Sequence, residues 1–334
     1  MLRDVPTKPY RRAATGLATA LIGAALTVTA ANPAGAEPVS ELPIGVEASF
    51  MVFDRETGSA SVQFEAHKQY RSASVVKLLI ALDYLESHDL SLTTPSDDLA
   101  RLQAMLRSSD DDTASYLWIE NGWDAIIDRS VAKLGLTDTA PPAKRGMWGY
   151  TAISAADVVT IYRYILETAN PAIRDFIMSN LHQSTKCGQD GFDQSFGISR
   201  ALTHQPKAVK QGWSGFGDEP EPGKVCAPSN PKAPAPPGAM SAAATGPVVF
   251  GPDGIRETWT TTQGSAPNRA PAINLDKRAM HTTGTVGEHD EKIVVVLTLE
   301  PKETTWEDAA QRVTLVTKTA DLANWGASSG LGTR

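Results

Sequence analysis

Residues 70–80 read Tyr70-Arg71-Ser72-Ala73-Ser74-Val75-Val76-Lys77-Leu78-Leu79-Ile80. The pattern predicts a helix that begins here, with Ser72 or Ser74 near its N-cap. Apolar residues continue to Leu85 and cover nearly the whole circumference, which predicts a central, buried helix. Lys77 is unexpected in such a helix, because burial disfavours a charged ammonium group.

Lys77 follows Ser74 by three residues, so both side chains lie on one helical face about one turn apart. A lysine in a low-dielectric site loses its charge more easily, and a neutral amine can take the proton of a hydroxyl. A helix N-terminus also favours negative charge that develops on the serine. The alternative is a capping serine and a lysine that reaches the surface, since Ser-x-x-Lys often occurs by chance.

The chain has 334 residues, of which 41% are apolar and 21% are charged. This composition is typical of a globular protein, and the length allows one large domain or two moderate ones. Without residues 1–36, which hold four of the 31 basic and one of the 38 acidic residues, 27 basic and 37 acidic residues remain, for a formal charge of −10. Such an acidic protein is not expected to bind nucleic acid.

Residues 1–36 are predicted to be a signal peptide. A basic start is followed by small and apolar residues from 13 to 31, and Ala34-Gly35-Ala36 fits a cleavage site before Glu37. The alternative is an uncleaved membrane anchor, but its threonines and glycines make the segment weakly hydrophobic. No cysteine lies near the cleavage site for lipid attachment. We therefore expect export to the cell envelope or the medium.

The chain contains two cysteines, Cys187 and Cys226. In an exported protein, two cysteines suggest one disulfide. They are too few for a metal cluster, and the six histidines show no metal-ligand spacing. We expect no cofactor and no metal ion.

Strands and helices are predicted in an order that indicates an α+β fold. Two strands are predicted at residues 47–54 and 61–66, and three more at residues 208–213, 278–284 and 292–299. Helices fill the middle of the chain, and a last helix is predicted over residues 306–325. The two groups of strands are expected to meet in one antiparallel sheet, with an all-helical lobe inserted between them. Residues 218–258 are predicted to form a surface insertion, because they are rich in proline, alanine and glycine.

Three motifs together resemble the serine β-lactamases and penicillin-binding proteins. Ser74-Val75-Val76-Lys77 resembles their Ser-x-x-Lys motif. Ser109-Asp110-Asp111, inside the stretch of residues 105–114, is similar to the Ser-Asp-Asn loop of class A enzymes, and Lys210-Gln211-Gly212 is similar to their Lys-Thr-Gly strand. The likeness covers roughly residues 45–325 outside the insertion. It implies a β-lactamase/transpeptidase-like fold for residues 37–334.

The resemblance assigns a role to each matched residue. Ser74 would be the nucleophile that forms an acyl-enzyme, and Lys77 would be its activating partner. Ser109 would pass a proton to the leaving nitrogen, while Lys210 would orient the substrate carboxylate and tune Ser109. The oxyanion hole would use the backbone N–H groups of Ser74 and Trp213. Without the family's likeness, Ser109 could be a helix-capping residue and Lys210 a solvated strand end.

Three departures from the family pattern affect the predicted mechanism. Asp111 replaces the asparagine of the loop motif and brings a carboxylate near Lys77, which favours the ammonium form of the lysine. Gln211 replaces a hydroxyl residue that would bind the substrate carboxylate. Residues 139–156, where class A enzymes carry a glutamate that activates the deacylating water, contain no Asp or Glu. Slow deacylation is therefore expected, and we expect Asp111, Gln211 and Gly212 to contact substrate.

The sequence thus predicts an exported, monomeric serine acyl-enzyme hydrolase that acts on β-lactams or on D-Ala-D-Ala-type cell-wall peptides. One alternative is a catalytically degenerate member that binds cell-wall fragments or a protein partner. Another is a small-ester hydrolase that uses the same serine and lysine. His281-Thr282-Thr283-Gly284 competes with Lys210-Gln211-Gly212 for the strand motif, but we place it on the middle strand, because the very apolar residues 292–299 follow it. The disulfide is expected to hold the insertion near the mouth of the site.

Overall fold

The structure is a computed structural model that describes residues 42–88, 94–227, 229, 233–235, 248–251, 254–257 and 273–328. The predicted signal peptide, residues 1–36, and part of the predicted insertion, residues 218–258, lie outside the described residues. Their boundaries stay predictions.

The described chain forms strands and helices in the order expected of an α+β fold. The strands are β1 (Glu47–Asp54), β2 (Ser59–Phe64), β3 (Tyr70–Arg71), β4 (Ala152–Ile153), β5 (Lys207–Ser214), β6 (Val248–Gly251), β7 (Gly254–Glu257), β8 (Arg278–Val286) and β9 (Lys292–Glu300). The helices are α1 (Lys77–Ser87), α2 (Ser96–Ser108), α3 (Asp111–Glu120), α4 (Ala125–Leu134), α5 (Ala155–Glu167), α6 (Pro171–His182), α7 (Ile198–Ala201) and α8 (Trp306–Ser328).

The main sheet has five antiparallel strands in the order β2-β1-β9-β8-β5. Strand β9 is central and pairs along its whole length with β1, which joins the two ends of the described chain. It is apolar and buried on both faces, as expected for a strand covered on both sides. The predicted α+β fold, with one antiparallel sheet built from both chain ends, is confirmed.

Helix α1 is the centre of the helical lobe, as its apolar circumference predicts. It packs against α2, α3, α4, α5 and α6, and Leu78, Leu79 and Ile80 are at most 1% exposed. Burial of each such side chain contributes about 1.5–3 kcal/mol to folding. Helix α5 covers one face of the sheet and α8 the other. These layers fix α1, and with it the segment that contains Ser74, against strand β5.

The α1 segment starts after Ser72, as predicted, but it does so through a 3-10 turn and without a side-chain cap. Residues Ala73–Val76 form a 3-10 turn before α1, and Ser72 occupies the N-cap position without a side-chain capping bond. The Ser72 amide instead donates to the Thr151 carbonyl at 2.8 Å, next to the short pairing of β3 with β4. Ala73 has a φ of +45°, a region that residues with a Cβ rarely adopt. The contact with Thr151, next to the pairing of β3 with β4, therefore fixes the position of Ser72. A side-chain cap is not involved.

The insertion contains a two-stranded hairpin, β6–β7, which the sequence analysis missed. It stands outside the main sheet and contacts α3. Further back in the insertion, the carbonyls of Pro234 and Ala235 accept hydrogen bonds from the Arg101 guanidinium at 3.0 and 2.7 Å. Among the residues that the structure describes, no helix combines the length and apolarity needed to cross a membrane.

Candidate active site

Five predicted site residues lie together: four at or next to the start or end of helical elements, and Lys210 on strand β5. Ser74 belongs to the 3-10 turn, and Lys77 is the first residue of α1. Ser109 follows the last residue of α2, and Asp111 is the first residue of α3. Lys210 lies within β5. Residues separated by more than a hundred positions in sequence are therefore brought to one place.

Lys77 is completely buried, and the N–H groups of its ammonium are bound to hydrogen-bond acceptors. Its Nζ donates to the Ser109 carbonyl at 2.7 Å and to the Ser109 Oγ at 3.3 Å, and it forms an ion pair with Asp111. The Trp148 ring lies 4.9 Å from the same nitrogen. Three acceptors match the three N–H groups of a lysine ammonium. The predicted proximity of Asp111 to Lys77 is thus present as a direct ion pair.

Lys210 approaches the same serine from the strand. Its Nζ donates to the Ser109 Oγ at 2.9 Å and to the Gln211 carbonyl at 3.0 Å, and the side chain is 1% exposed. Burial, and then the positive charge of Lys77, hold the pKa of Lys210 well below its ordinary value, although Asp111 and Asp190 oppose this shift. The Ser109 hydroxyl therefore lies between two buried lysine nitrogens, one of which loses its proton readily.

Ser74 is 4% exposed. In the described part of the chain, its hydroxyl makes no hydrogen bond, so Lys77 is bound to Ser109 and Asp111 rather than to the predicted nucleophile. The site therefore holds the predicted nucleophile, its lysine and the second serine, but the serine–lysine contact of an activated nucleophile is not formed.

The turn that carries Ser109 is built by local capping. Ser109 adopts a left-handed conformation with φ of +59°, and its amide donates to the Ala104 carbonyl, which ends α2. Asp110 then caps α3, because its carboxylate accepts a hydrogen bond from the Thr113 amide at 2.7 Å. The capping interpretation of this cluster therefore holds for Asp110, while the Ser109 side chain is aimed at the two lysines.

Gly212 is required by the contact between β5 and the 3-10 turn. A Cβ on Gly212 would lie 3.0 Å from the Val75 side chain and 3.1 Å from the Ser72 carbonyl. A glycine is therefore needed for the strand to approach the segment that holds Ser74. Its predicted contact with substrate stays a prediction.

The Gln211 side chain points away from Lys210 and forms hydrogen bonds there. Its amide nitrogen donates to the carbonyls of Gln194 at 3.1 Å and Phe196 at 2.7 Å. Successive side chains of a strand point to opposite faces, so Gln211 and Lys210 diverge. The predicted substrate contact of Gln211 stays a prediction, but its amide nitrogen already has two partners in the folded chain.

Trp213, predicted to supply one oxyanion N–H, is fixed by its side chain. The ring packs edge-to-face against Phe196 and Trp306, with centroids 6.2 and 5.6 Å apart. Its indole N–H donates to the Asp190 carboxylate at 3.0 Å. These contacts hold the end of β5 rigid at the predicted oxyanion position, and the oxyanion role of Ser74 and Trp213 stays a prediction.

Asp190 is the site residue that sequence reasoning missed. Burial raises the pKa of its carboxyl, and hydrogen bonds and the positive charge of Lys77 act in the opposite direction. The only local signal is a glycine-flanked polar turn, Gly188-Gln189-Asp190-Gly191, immediately after Cys187. The predicted disulfide between Cys187 and Cys226 is present next to it, with Cα atoms 5.4 Å apart.

His281 is buried on β8, which lies between β5 and β9 and is thus the middle one of the last three strands, as predicted. Its Nε2 donates to the Arg71 carbonyl at 2.8 Å, and its Nδ1 accepts from the Thr298 amide at 3.2 Å. Both bonds use the neutral imidazole, and burial lowers the pKa of His281 to about 4. Lys210-Gln211-Gly212 lies on β5 beside Ser109, and its assignment as the strand motif stays a prediction.

The loop of residues 139–156 presents an aromatic ring to the site. Trp148 is buried over Lys77, and its indole N–H donates to the Ser115 Oγ at 3.1 Å. Backbone bonds between Ala140 and Ala152 close the loop. No group of three or more potential metal ligands occurs within the described residues.

Comparison with known proteins identifies the fold. No protein-family model matches the chain. Proteins of Mycobacterium bovis and Mycobacterium tuberculosis named "Putative lipoprotein LppW" are 37% identical over 174 residues, which is 51% of this chain and 55% of theirs. The chain thus aligns with about half the length of the curated relatives it matches.

Several solved structures are similar over most of the chain. A class A β-lactamase from Mycobacterium abscessus superposes with a TM-score of 0.54 and 15% identity, covering 84% of this chain and 95% of that one. PBP-A superposes with a TM-score of 0.53 and 14% identity, covering 85% and 93%. A β-lactamase from Xanthomonas campestris gives 0.54 and 10%, covering 82% and 91%. At these identities the likeness concerns the fold, and the fold of this chain is that of the serine β-lactamase and penicillin-binding protein superfamily.

Proposed function

We propose that this protein is an exported serine acyl-transferring enzyme that uses Ser74 as its nucleophile. Its proposed substrates are β-lactams or D-Ala-D-Ala-type cell-wall peptides. One observation carries the proposal: the Ser109 hydroxyl lies 3.3 Å from the Lys77 nitrogen and 2.9 Å from the Lys210 nitrogen, in a buried site. Burial of two lysines beside one hydroxyl lowers the stability of the fold. A role in a proton relay would explain why both are present.

The proposed acylation moves one proton along this relay. The Ser74 oxygen attacks the carbonyl carbon, and its proton passes to the neutral amine of Lys77. Ser109 then donates its proton to the leaving nitrogen as the bond from that nitrogen to the carbonyl breaks. The Lys77 ammonium then passes the proton it received to Ser109, which restores both groups.

Deacylation is proposed to be slow. Residues 139–156 contain no carboxylate that could activate water, and Trp148 lies over Lys77 instead. Asp111 is ion-paired with Lys77, so its carboxylate is a weak base for water. Each acyl-enzyme formed at Ser74 would therefore persist.

A catalytically degenerate binding protein is the second candidate. The observation that favours it is the ion pair of Lys77 with Asp111, because the three acceptors of the Lys77 ammonium exclude Ser74. A small-ester hydrolase would use the same groups on esters, whose leaving groups need less help to depart. These candidates differ in whether Ser74 becomes covalently modified, and by which acyl donor.

The experiment is covalent labelling followed by intact-mass measurement. The mature protein is incubated with benzylpenicillin or with a nitrophenyl ester, alongside Ser74→Ala and the control Ser179→Ala, which changes an exposed serine of α6. The proposal expects a stable benzylpenicillin adduct on the unchanged protein and on the control, and none on Ser74→Ala. Ester turnover without a penicillin adduct would support the ester hydrolase. A folded protein that reacts with neither would support the binding protein.

Export to the cell envelope is part of the proposal. The basic, small-residue segment of residues 1–36 predicts a signal peptide, and the mycobacterial relatives carry the word lipoprotein in their name. Fractionation of cells that express the full chain tests it. Recovery of the protein in the cytosol, with residues 1–36 still attached, would contradict export.

A further inference from the structure

A second carboxylate, that of Asp190, is built into the site. Two N–H groups hold it: the Trp213 indole donates to Oδ2 at 3.0 Å, and the Phe192 amide donates to Oδ1 at 3.1 Å. The turn around it closes with a hydrogen bond from the Gly188 amide to the Phe192 carbonyl at 2.8 Å. The carboxylate therefore has a fixed position, set by a tight turn and by an indole on the predicted oxyanion strand.

The same turn contacts both sides of the site. The Gln189 amide donates to the Ser108 carbonyl at 2.8 Å, and its side chain donates to the Ser108 Oγ at 3.1 Å. Ser108 directly precedes Ser109. On the other side, a Cβ on Gly188 would lie 3.1 Å from the Trp213 ring, so the turn rests on that ring. Asp190 is thus fixed between the turn that holds Ser109 and strand β5.

Asp190 has no cation within ion-pair distance in the part of the chain that the structure describes. Its charge acts at longer range, since it raises the pKa of Lys210 and is itself affected by the charge of Lys77. Asp111 and Asp190 together place two carboxylates near the two lysines, Lys77 and Lys210. The two carboxylates therefore oppose, inside the protein, the positive charge that would attract a substrate carboxylate.

We propose that Asp190 is a specificity-determining residue that disfavours acyl donors with a free carboxylate beside the scissile bond and favours neutral esters and lactams. The inference rests on the proposed function, in which Lys210 orients that carboxylate. A substrate carboxylate brought to Lys210 would approach the Asp190 carboxylate, whose two N–H donors favour its charged form against the effect of burial. Repulsion between like charges in a partly buried site is strong. A neutral acyl group meets no such repulsion.

The test compares benzylpenicillin with its methyl ester, which differ in this one charge. Asp190→Asn keeps an oxygen that can accept from the Trp213 indole and removes the charge. The expected result is that Asp190→Asn accelerates Ser74 acylation by benzylpenicillin about tenfold, the size expected for removal of one of two facing charges, and changes acylation by the methyl ester less than about twofold. The control Asp175→Asn removes an exposed charge on α6 and is expected to change neither rate.

The outcomes separate this inference from the proposed function. Equal effects of Asp190→Asn on both penicillins, or slower acylation by benzylpenicillin, overturn the role of Asp190 while leaving Ser74 as the nucleophile. Absence of acylation in all variants overturns the proposed function. In that case, calorimetric binding of both penicillins to Ser74→Ala, with and without Asp190→Asn, still decides the inference. Tighter binding of benzylpenicillin alone after Asp190→Asn supports it, and equal changes or no binding overturn it.

Discussion

Replacement of Asp111 by asparagine tests whether the ion pair with Lys77 restrains the nucleophile. The Lys77 side chain is fully buried, and that of Asp111 is 23% exposed. Removal of one partner from a fully buried pair costs about 3–5 kcal/mol. Here the asparagine oxygen still accepts a hydrogen bond, and Asp111 reaches solvent. We therefore expect the free energy of unfolding to fall by about 1–2 kcal/mol, and Tm to fall by about 2–8 °C.

The same change is expected to accelerate acylation. In the unchanged protein, the N–H groups of the Lys77 ammonium are taken by Ser109 and Asp111. Loss of the ion pair leaves the Lys77 nitrogen freer to turn to Ser74 and accept its proton. Asp111→Asn should therefore raise the acylation rate constant about tenfold at neutral pH.

The assay is quenched-flow mixing with benzylpenicillin, followed by intact-mass measurement of the Ser74 adduct, with urea unfolding in parallel. Asp112→Asn is the matched control, because Asp112 also lies in the first turn of α3 and has the same charge. The reasoning is refuted if folded Asp111→Asn acylates no faster than the unchanged protein, or if Asp112→Asn accelerates it equally.

Three other predictions concern residues that hold the site in place. His281 has its pKa lowered from 6.5 to about 4, so the unfolded chain binds the proton more tightly. Stability present above pH 6.5 should fall by up to about 3 kcal/mol as the pH drops to 4, and urea titrations of His281→Gln should lack this slope. Gly212→Ala should separate β5 from the 3-10 turn and slow acylation about tenfold with little change in secondary structure by circular dichroism; an unchanged rate contradicts this. Replacement of Cys187 and Cys226 by serine should lower the unfolding free energy by about 4 kcal/mol, given a separation of 39 residues, and a loss under about 1 kcal/mol counts against it.

The elements predictable from sequence are those whose signals are local. Asn170 caps α6 by accepting from the Ala172 amide at 2.9 Å, and Ser154 caps α5 by accepting from the Asp157 amide at 3.1 Å. Both caps stand beside a helical apolar pattern, which is the kind of local signal that marks a helix start. The continuous apolar run of β9 likewise predicts a buried strand.

The features that could not be predicted depend on tertiary contacts. The 3-10 turn at Ala73–Val76 follows from the pairing of β3 with β4, which is remote in sequence. The position of the Gln211 side chain depends on where the Gln194 and Phe196 carbonyls lie. For the candidate site, the motifs predicted that Lys77, Ser109 and Lys210 would meet, and these three side chains are in contact.

Asp190 illustrates why motif reasoning leaves a site incomplete. It lies twenty residues before Lys210 in a loop with no periodic pattern, and only the fold brings it to Trp213. Asp111 and Asp190 nevertheless act on the same two lysines, the first by direct contact and the second by charge. Two carboxylates and two lysines leave the four groups neutral when all are ionised. If Asp190 acts as proposed, a pocket neutral in this way attracts an anionic substrate less strongly than one with uncompensated lysines. On the proposed mechanism, acylation depends on Ser74 with its lysines, and the preference for substrate charge depends on the two aspartates.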